Sequence, residues 1–208
     1  MTFTPTKYDL QLTIDFNEQT FTGRAQIHVS VTDPVKEVDL KISKDLEVER
    51  VSFWQAEHVY RGNPHLLGIT SNFVVDKEKN SIHCPLVREI NAESIKEEGY
   101  IEVEYKGKFG GSGEIDGLHH VEGITYEAKS NPDNVITLLP ILEDIPVPLR
   151  VSVVTPYRAG VETNIPAGEH GSVYNTDLFA NRFTTEEESA LISGLELRIT
   201  APTALVLD

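Results

Sequence analysis

The sequence predicts an all-β, mostly antiparallel sandwich domain with one short helix. Two observations carry that reading. Tyr8, Leu10, Leu12 and Ile14 alternate with Asp9, Gln11, Thr13 and Asp15, and Phe21, Ala25, Ile27, Val29 and Val31 alternate in the same way. Strict alternation is the period of a strand with one buried face. Phe16-Asn17-Glu18-Gln19 separates the two runs and reads as a hairpin loop.

Similar short runs continue along the chain. Val38, Leu40 and Ile42 share a face. Leu46 and Val48 are out of step with Val51 and Phe53, which predicts a bulge between them. The stretch 54–68 reads as irregular. Residues 72–75 and 81–86 flank Asp76-Lys77-Glu78-Lys79-Asn80, a polar hairpin tip. Asn91 to Glu98 is the helix candidate: Asn91 can cap, Ser94 and Glu97 fit a capping box, and Gly99 can end it. Tyr100 to Gly107 is a strand with Ile101, Val103 and Tyr105 on one face. Further strands are predicted over 121–128, 134–139 and 149–155. No internal repeat or low-complexity linker interrupts the chain, so residues 1–208 are read as one domain.

Composition narrows the function classes. The chain of 208 residues carries 33 acidic and 18 basic side chains, for a formal charge of −15. Nucleic acid and anionic membrane both need a positive surface, so neither is an expected partner. The single cysteine, Cys84, excludes an internal disulfide and reads as a structural thiol in a strand. No apolar run approaches membrane-spanning length, and none precedes the first strand. A cytoplasmic location is expected on that basis.

Motifs for chemistry are sparse. Gly110-Gly-Ser-Gly-Glu-Ile-Asp-Gly117 invites a phosphate cradle. No Gly-Lys-Ser/Thr follows it, no helix opens after it, and two acids, Glu114 and Asp116, sit inside it, so it reads as a loop. His119, His120 and Glu122 form the densest metal-ligand group. Neighbours in a strand point to opposite faces, so both rings would serve one ion only from a loop. A His-x-x-x-His pair enclosing a Glu is absent, and no metal or other cofactor is expected. No Gly-x-Ser-x-Gly elbow is present, and the adjacent acids Glu143 and Asp144 read as solvated.

The residues of the opening hairpin carry a resemblance. Pro5, Tyr8-Asp9-Leu10, Phe21-Thr22-Gly23, Ile27 and Val29 resemble the start of the zinc aminopeptidases related to aminopeptidase N and leukotriene hydrolase. Val38-Asp-Leu-Lys-Ile42 followed by Leu46-Glu-Val-Glu-Arg-Val51 continues it. Ile95, Gly99, Ile101, Val103, Tyr105 and Gly107 resemble the family's Leu-x-x-Gly and Leu-x-Ile-x-Tyr-x-Gly. Val161 to Pro166, after Thr155-Pro156, resembles its Ser-Asn-x-Pro element, and residues 182–185 and 190–200 loosely resemble its last strands. In that family this region is a non-catalytic, saddle-like N-terminal β domain. The family's Gly-x-Met-Glu-Asn loop and zinc helix belong to the catalytic domain and do not occur in this sequence. The resemblance therefore implies a scaffold and no activity of its own.

Leu139 to Val151 resembles, in register, the family's Phe-Pro-Cys-Phe-Asp-Glu-Pro-x-x-Lys-Ala-x-Phe. Pro140 is kept, Glu143-Asp144 stands for Asp-Glu, Ile145 replaces Pro and Pro148 replaces Lys. Upstream, Ser130-Asn131-Pro132 stands where the family has Gln-x-Glu facing the substrate's amino group. A different register leaves Glu122 or Glu127 as that acid. Two functions follow: a non-catalytic module binding a protein or ligand, or the N-terminal portion of a zinc aminopeptidase, bracing its catalytic domain and lining the cleft. The expected partner- or substrate-facing residues are Glu114, Asp116, His119, His120, Glu122, Glu127 and Ser130. The expected partner is a protein or a peptidase catalytic domain.

Overall fold

Alternating apolar side chains need a second layer to cover them, and the chain supplies it by folding strands into one large and two small sheets. The structure is a computed structural model that describes residues 3–56, 65–69, 72–92, 98–110, 117–156, 158–175 and 180–202. The large sheet contains β1 (Thr4–Asp15), β2 (Thr20–Ser30), β4 (Glu47–Ala56), β5 (His65–Ile69), β8 (Glu98–Lys108), β11 (Val147–Pro156), β13 (Ala167–Asn175), β14 (Ala180–Thr185) and β15 (Glu188–Ala190). A small sheet holds β3 (Val35–Lys41), β6 (Val74–Asp76) and β7 (Ser81–Ile90). The other holds β9 (His119–Glu122), β10 (Thr125–Lys129), β12 (Gly160–Thr163) and β16 (Glu196–Thr200).

The large sheet runs β13-β14-β11-β1-β2-β8-β4-β5, with β15 also beside β11. Its strands pair antiparallel except β1 with β11, which run parallel from Tyr8 opposite Leu149 to Thr13 opposite Val154. The fold is thus all-β and mostly antiparallel, as the alternation predicts. The expected bulge in β4 falls between Val48 and Arg50. Both hairpin tips share one construction. Asp15 Oδ1 accepts from the amides of Asn17 and Glu18, and Asp76 Oδ1 accepts from those of Glu78 and Lys79. Each turn closes on a residue with positive φ, Gln19 (53°) or Asn80 (52°).

Three expectations are corrected. Residues 134–139 form no strand: Val135–Thr137 is a 3-10 turn. The stretch 54–68 is not wholly irregular, because β4 runs on to Ala56 and β5 follows. Residues 121–128 make two strands, not one, split at Gly123 (φ 54°). Residues 190–200, which loosely resemble the family's last strands, hold the end of β15, a 3-10 turn at Ile192–Gly194 and β16. Residues 93–97 of the helix candidate lie outside the described residues. Ala92 before them is in a turn, and Glu98 after them opens β8.

The buried faces of all three sheets join in one core. Tyr8, Leu10, Leu12, Phe21, Ile27, Phe53, Ile101, Val103 and Tyr105 from the large sheet share it with Val38, Leu40, Ile82 and Cys84 from one small sheet and Leu197 and Ile199 from the other. The segment 135–142 threads between the layers. Its backbone at Ile141 exchanges hydrogen bonds with Lys41 at 2.8 and 2.9 Å, and Tyr105 donates its hydroxyl to Leu138 O at 3.0 Å.

This core fixes the response to alkali. Burial pushes the Tyr8 hydroxyl up to about 12 and the Cys84 thiol up to about 12, and raises Tyr105 as well. A raised folded-state pKa means the native chain holds its proton where the unfolded chain has released it. Stability from these groups is complete below about pH 9, where thiols begin to ionise in the unfolded chain, and is lost as pH rises towards 12. Each group should remove up to about 1.4 kcal/mol per pH unit in that window. Thermal melts from pH 8 to 11 should therefore fall steeply, and less steeply in Cys84→Ala. A flat profile would contradict the burial.

Candidate functional site

The residues singled out by sequence separate in the structure. Glu114 and Asp116 lie outside the described residues. On the small sheet ordered β12-β16-β10-β9, strand register sets Glu127 opposite His119 on one side and Arg198 on the other, and Arg198 opposite Glu162. These four form one cross-strand row. His120 stands opposite Tyr126 on the other face, with ring centroids 5.6 Å apart, and its Nε2 donates to Gly123 O at 2.9 Å. The two adjacent histidines thus point away from each other, as strand geometry requires. Glu122 pairs with Thr125 and is exposed, and Ser130 follows the end of β10.

The row borders a shallow cleft of about 330 Å³, lined by Glu127, Lys129, Glu162, Asn164, Glu196 and Arg198 among others. Glu127 is the best-held acid in it, with its side chain 17% exposed. Its Oε1 lies 3.5 Å from Arg198 Nε and its Oε2 lies 3.4 Å from Lys129 Nζ. Among the described residues no three or more His, Cys, Asp or Glu side chains gather as metal ligands. The cleft offers charges and hydrogen-bonding groups of both signs and kinds and, among the described residues, no group placed for covalent chemistry. Glu162, Glu196 and Arg198 escaped sequence reading. Their signal was the alternation of Glu196, Arg198 and Thr200 with Leu197 and Ile199, which marks an outward face but cannot name its neighbours.

The sequence profile of the Peptidase M1 N-terminal domain family matches residues 4–137. The chain belongs to that family. No curated protein matches the chain. The match begins with β1, includes Gly23, Tyr105 and Gly107, and ends with the 3-10 turn that closes on Thr137. Among the described residues, no helix is long and apolar enough to cross a membrane.

In this M1 N-terminal domain the Ser130–Asn134 segment is built as a capped turn. Asn131 Oδ1 accepts from the amides of Asp133 (2.8 Å) and Asn134 (3.1 Å), and Asn134 Oδ1 accepts from the Asn131 amide at 2.7 Å. That is the reciprocal geometry of a capping box, with Pro132 in the first position of the turn. Asn-Pro-Asp-Asn is a helix-start signal, and it opens the turn found where a strand over 134–139 is predicted. Ser130 donates its amide to Leu195 O at 2.8 Å, tying the segment to the residue before β16.

The next segment hangs from one buried side chain. Tyr8 on β1 donates its hydroxyl to Glu143 O at 3.0 Å. The same oxygen accepts from the amides of Leu142 (3.1 Å) and Glu143 (3.3 Å). Asp144 faces the other way, its Oδ1 accepting from the Ser193 amide at 3.1 Å. Glu143-Asp144 is therefore not simply a solvated pair: Asp144 fastens the 3-10 turn at Ile192–Gly194.

Proposed function

We propose that this M1 N-terminal domain is a non-catalytic module that binds a protein partner through the 110–134 surface and the cleft beside Glu127. The observation behind this reading is the self-capped turn at Ser130–Asn134. In the register that sets Ser130-Asn131-Pro132 against the peptidases' substrate-facing Gln-x-Glu, this chain has Ser130, a capping Asn131 and Pro132, none of which offers a carboxylate; the other register leaves Glu122 or Glu127 as that acid. The scaffold around it is kept. Glu122 is exposed, and the sequence just before it adds the acids Glu114 and Asp116, a charge that suits a basic segment of a protein.

The test is charge reversal at Glu114, Asp116 and Glu122 together, followed by binding of a purified, captured partner to wild-type and variant. At least a tenfold loss of affinity with an unchanged melting temperature is expected. Unchanged affinity would refute this surface assignment. The purified chain should hydrolyse no aminoacyl reporter, and chelator-sensitive hydrolysis by it would refute the non-catalytic reading.

The clamp by Tyr8 favours a second reading. It keeps the 139–144 segment seated as a bracing element for a zinc aminopeptidase catalytic domain would be. Gain of aminopeptidase activity when such a catalytic domain is supplied in trans and docks here would decide for that role.

A further inference from the structure

The outer face of the large sheet is polar where β1, β2, β11 and β14 meet, and its charges are not scattered. Register places Arg24 opposite Gln11 and Glu104, Asp9 opposite Gln26 and Arg150, and Ser152 opposite Gln11 and Thr184. Arg24, Arg150 and Arg182 line one cleft of about 310 Å³ together with Asp9, Gln11, Gln26, Ser152 and Thr184. Three guanidinium groups and one carboxylate in one cleft are a local reversal of sign on a chain of charge −15.

Two of the three arginines are answered from below. Glu102 lies under the face, 1% exposed, where its Oε2 accepts from Arg24 Nε at 2.7 Å and from Gln26 Nε2 at 2.8 Å. Asp9 Oδ1 accepts from Arg150 Nε at 2.9 Å, while its Oδ2 meets His28 Nε2 at 3.0 Å and Lys7 at 3.3 Å. Burial by itself raises the Asp9 carboxyl, but His28, Lys7 and Arg150 hold it below its ordinary value, so it stays ionised. These pairs hold Arg24 and Arg150 through particular nitrogens, which orients the guanidinium planes. Arg182 is exposed, and among the described residues it has no carboxylate partner. Beside it, the Ser152 and Thr184 hydroxyls lie 3.2 Å apart.

We infer that this cleft binds a single carboxylate of a polypeptide, an Asp or Glu side chain or a chain terminus, with Arg182 as its principal ionic contact. The charge balance selects the ligand. With Glu102 against Arg24, Asp9 against Arg150, Glu187 against Lys7 and Glu104 against Arg50, the Arg182 charge remains. One carboxylate neutralises it, whereas a dianionic phosphate or a polyanion brings surplus negative charge to an acidic chain. The neighbouring groups also fit a peptide: Gln11 and Gln26 carry both amide donors and acceptors for a main chain, and Ser152 and Thr184 add hydroxyls. This face is a different sheet from the one carrying Glu127, so the inference stands apart from the proposed partner surface.

The test follows arginine Nε–H signals by nuclear magnetic resonance in the full chain. The probes are the blocked peptide acetyl-Gly-Ser-Gly-Glu-Gly-Ser-amide, its Gln counterpart and inorganic phosphate. Saturable shifts of the Arg182 signal with the Glu peptide are expected, at least tenfold weaker binding of the Gln peptide, and weaker binding of phosphate. Arg182→Gln should lower affinity for the Glu peptide at least fivefold, and Ser152→Ala should lower it less, both with unchanged backbone spectra. Equal binding of the Glu and Gln peptides would overturn the assignment, as would full binding by Arg182→Gln. Phosphate binding as tightly as the Glu peptide would overturn the choice of a carboxylate.

Discussion

Gly23→Ala should destabilise the domain by about 3 kcal/mol, the upper end of what overpacking costs in a rigid core. A Cβ on Gly23 would sit 2.1 Å from Cζ and 2.4 Å from Cε2 of Tyr105, its direct partner on β8. The ring cannot swing aside cheaply. Tyr105 is 1% exposed, its hydroxyl is bound to Leu138 O, and its edge meets Phe21 in a T-shaped contact with centroids 6.4 Å apart. The same arrangement repeats two pairs along, where the Phe21 ring lies over Gly107 and would clash with a Cβ there. Each glycine is a seat for the aromatic ring across from it. The melting temperature should fall by about 6–12 °C for a domain of this size. In a Tyr105→Ala background the same glycine change should cost little, since the clash is gone. Additive losses in that double-mutant cycle would show that the ring is not what the glycine accommodates.

Tyr8→Phe should be nearly as damaging, though it removes one atom. The hydroxyl serves three backbone groups, the Leu142 and Glu143 amides and the Glu143 carbonyl, at a buried junction. Leaving buried polar groups without partners costs roughly 1–3 kcal/mol each, so a total of about 3 kcal/mol is expected after partial relaxation. Amide exchange gives the sharper readout. Protection at Leu142 and Glu143 should drop by far more than protection in β2 or β8. Uniform loss across the sheet, or none at Leu142, would show that Tyr8 is ring packing and no clamp.

How much of this was legible depended on whether the cause was local. The Asp15 and Asp76 hairpins could be read because the turn residues and the alternating runs adjoin each other. β8 could be read for the same reason, whereas Gly23 and Gly107 stood out only through the family resemblance, because the rings they seat come from the partner strand. The turn at Val135–Thr137 was misread because its apolar residues resemble a short strand, while the Asn-Pro-Asp-Asn signal that opens it lies just upstream. The candidate site was legible only residue by residue. Glu127 was named, but Arg198 and Glu162 reach it through strand pairing across the chain, and no local pattern encodes a partner. The arginine cleft was illegible for the same reason, since Arg24, Arg150 and Arg182 come from three strands far apart in sequence.

The parallel pairing of β1 with β11 has a consequence for the chain as it is made. β1 is synthesised well before β11, and β2 can pair with one side of it at once. Its other side is completed only by Leu149 to Val154, more than a hundred residues later. At synthesis rates of roughly 5–20 residues per second, that edge stays open for on the order of ten seconds. During that time Tyr8, Leu10, Leu12 and Ile14 lie on a strand with a free row of backbone donors and acceptors, a template for any passing strand. The nascent domain is therefore most vulnerable to wrong association after its opening hairpin has formed and before β11 has emerged, and a stop in translation anywhere in that interval would leave the edge uncovered.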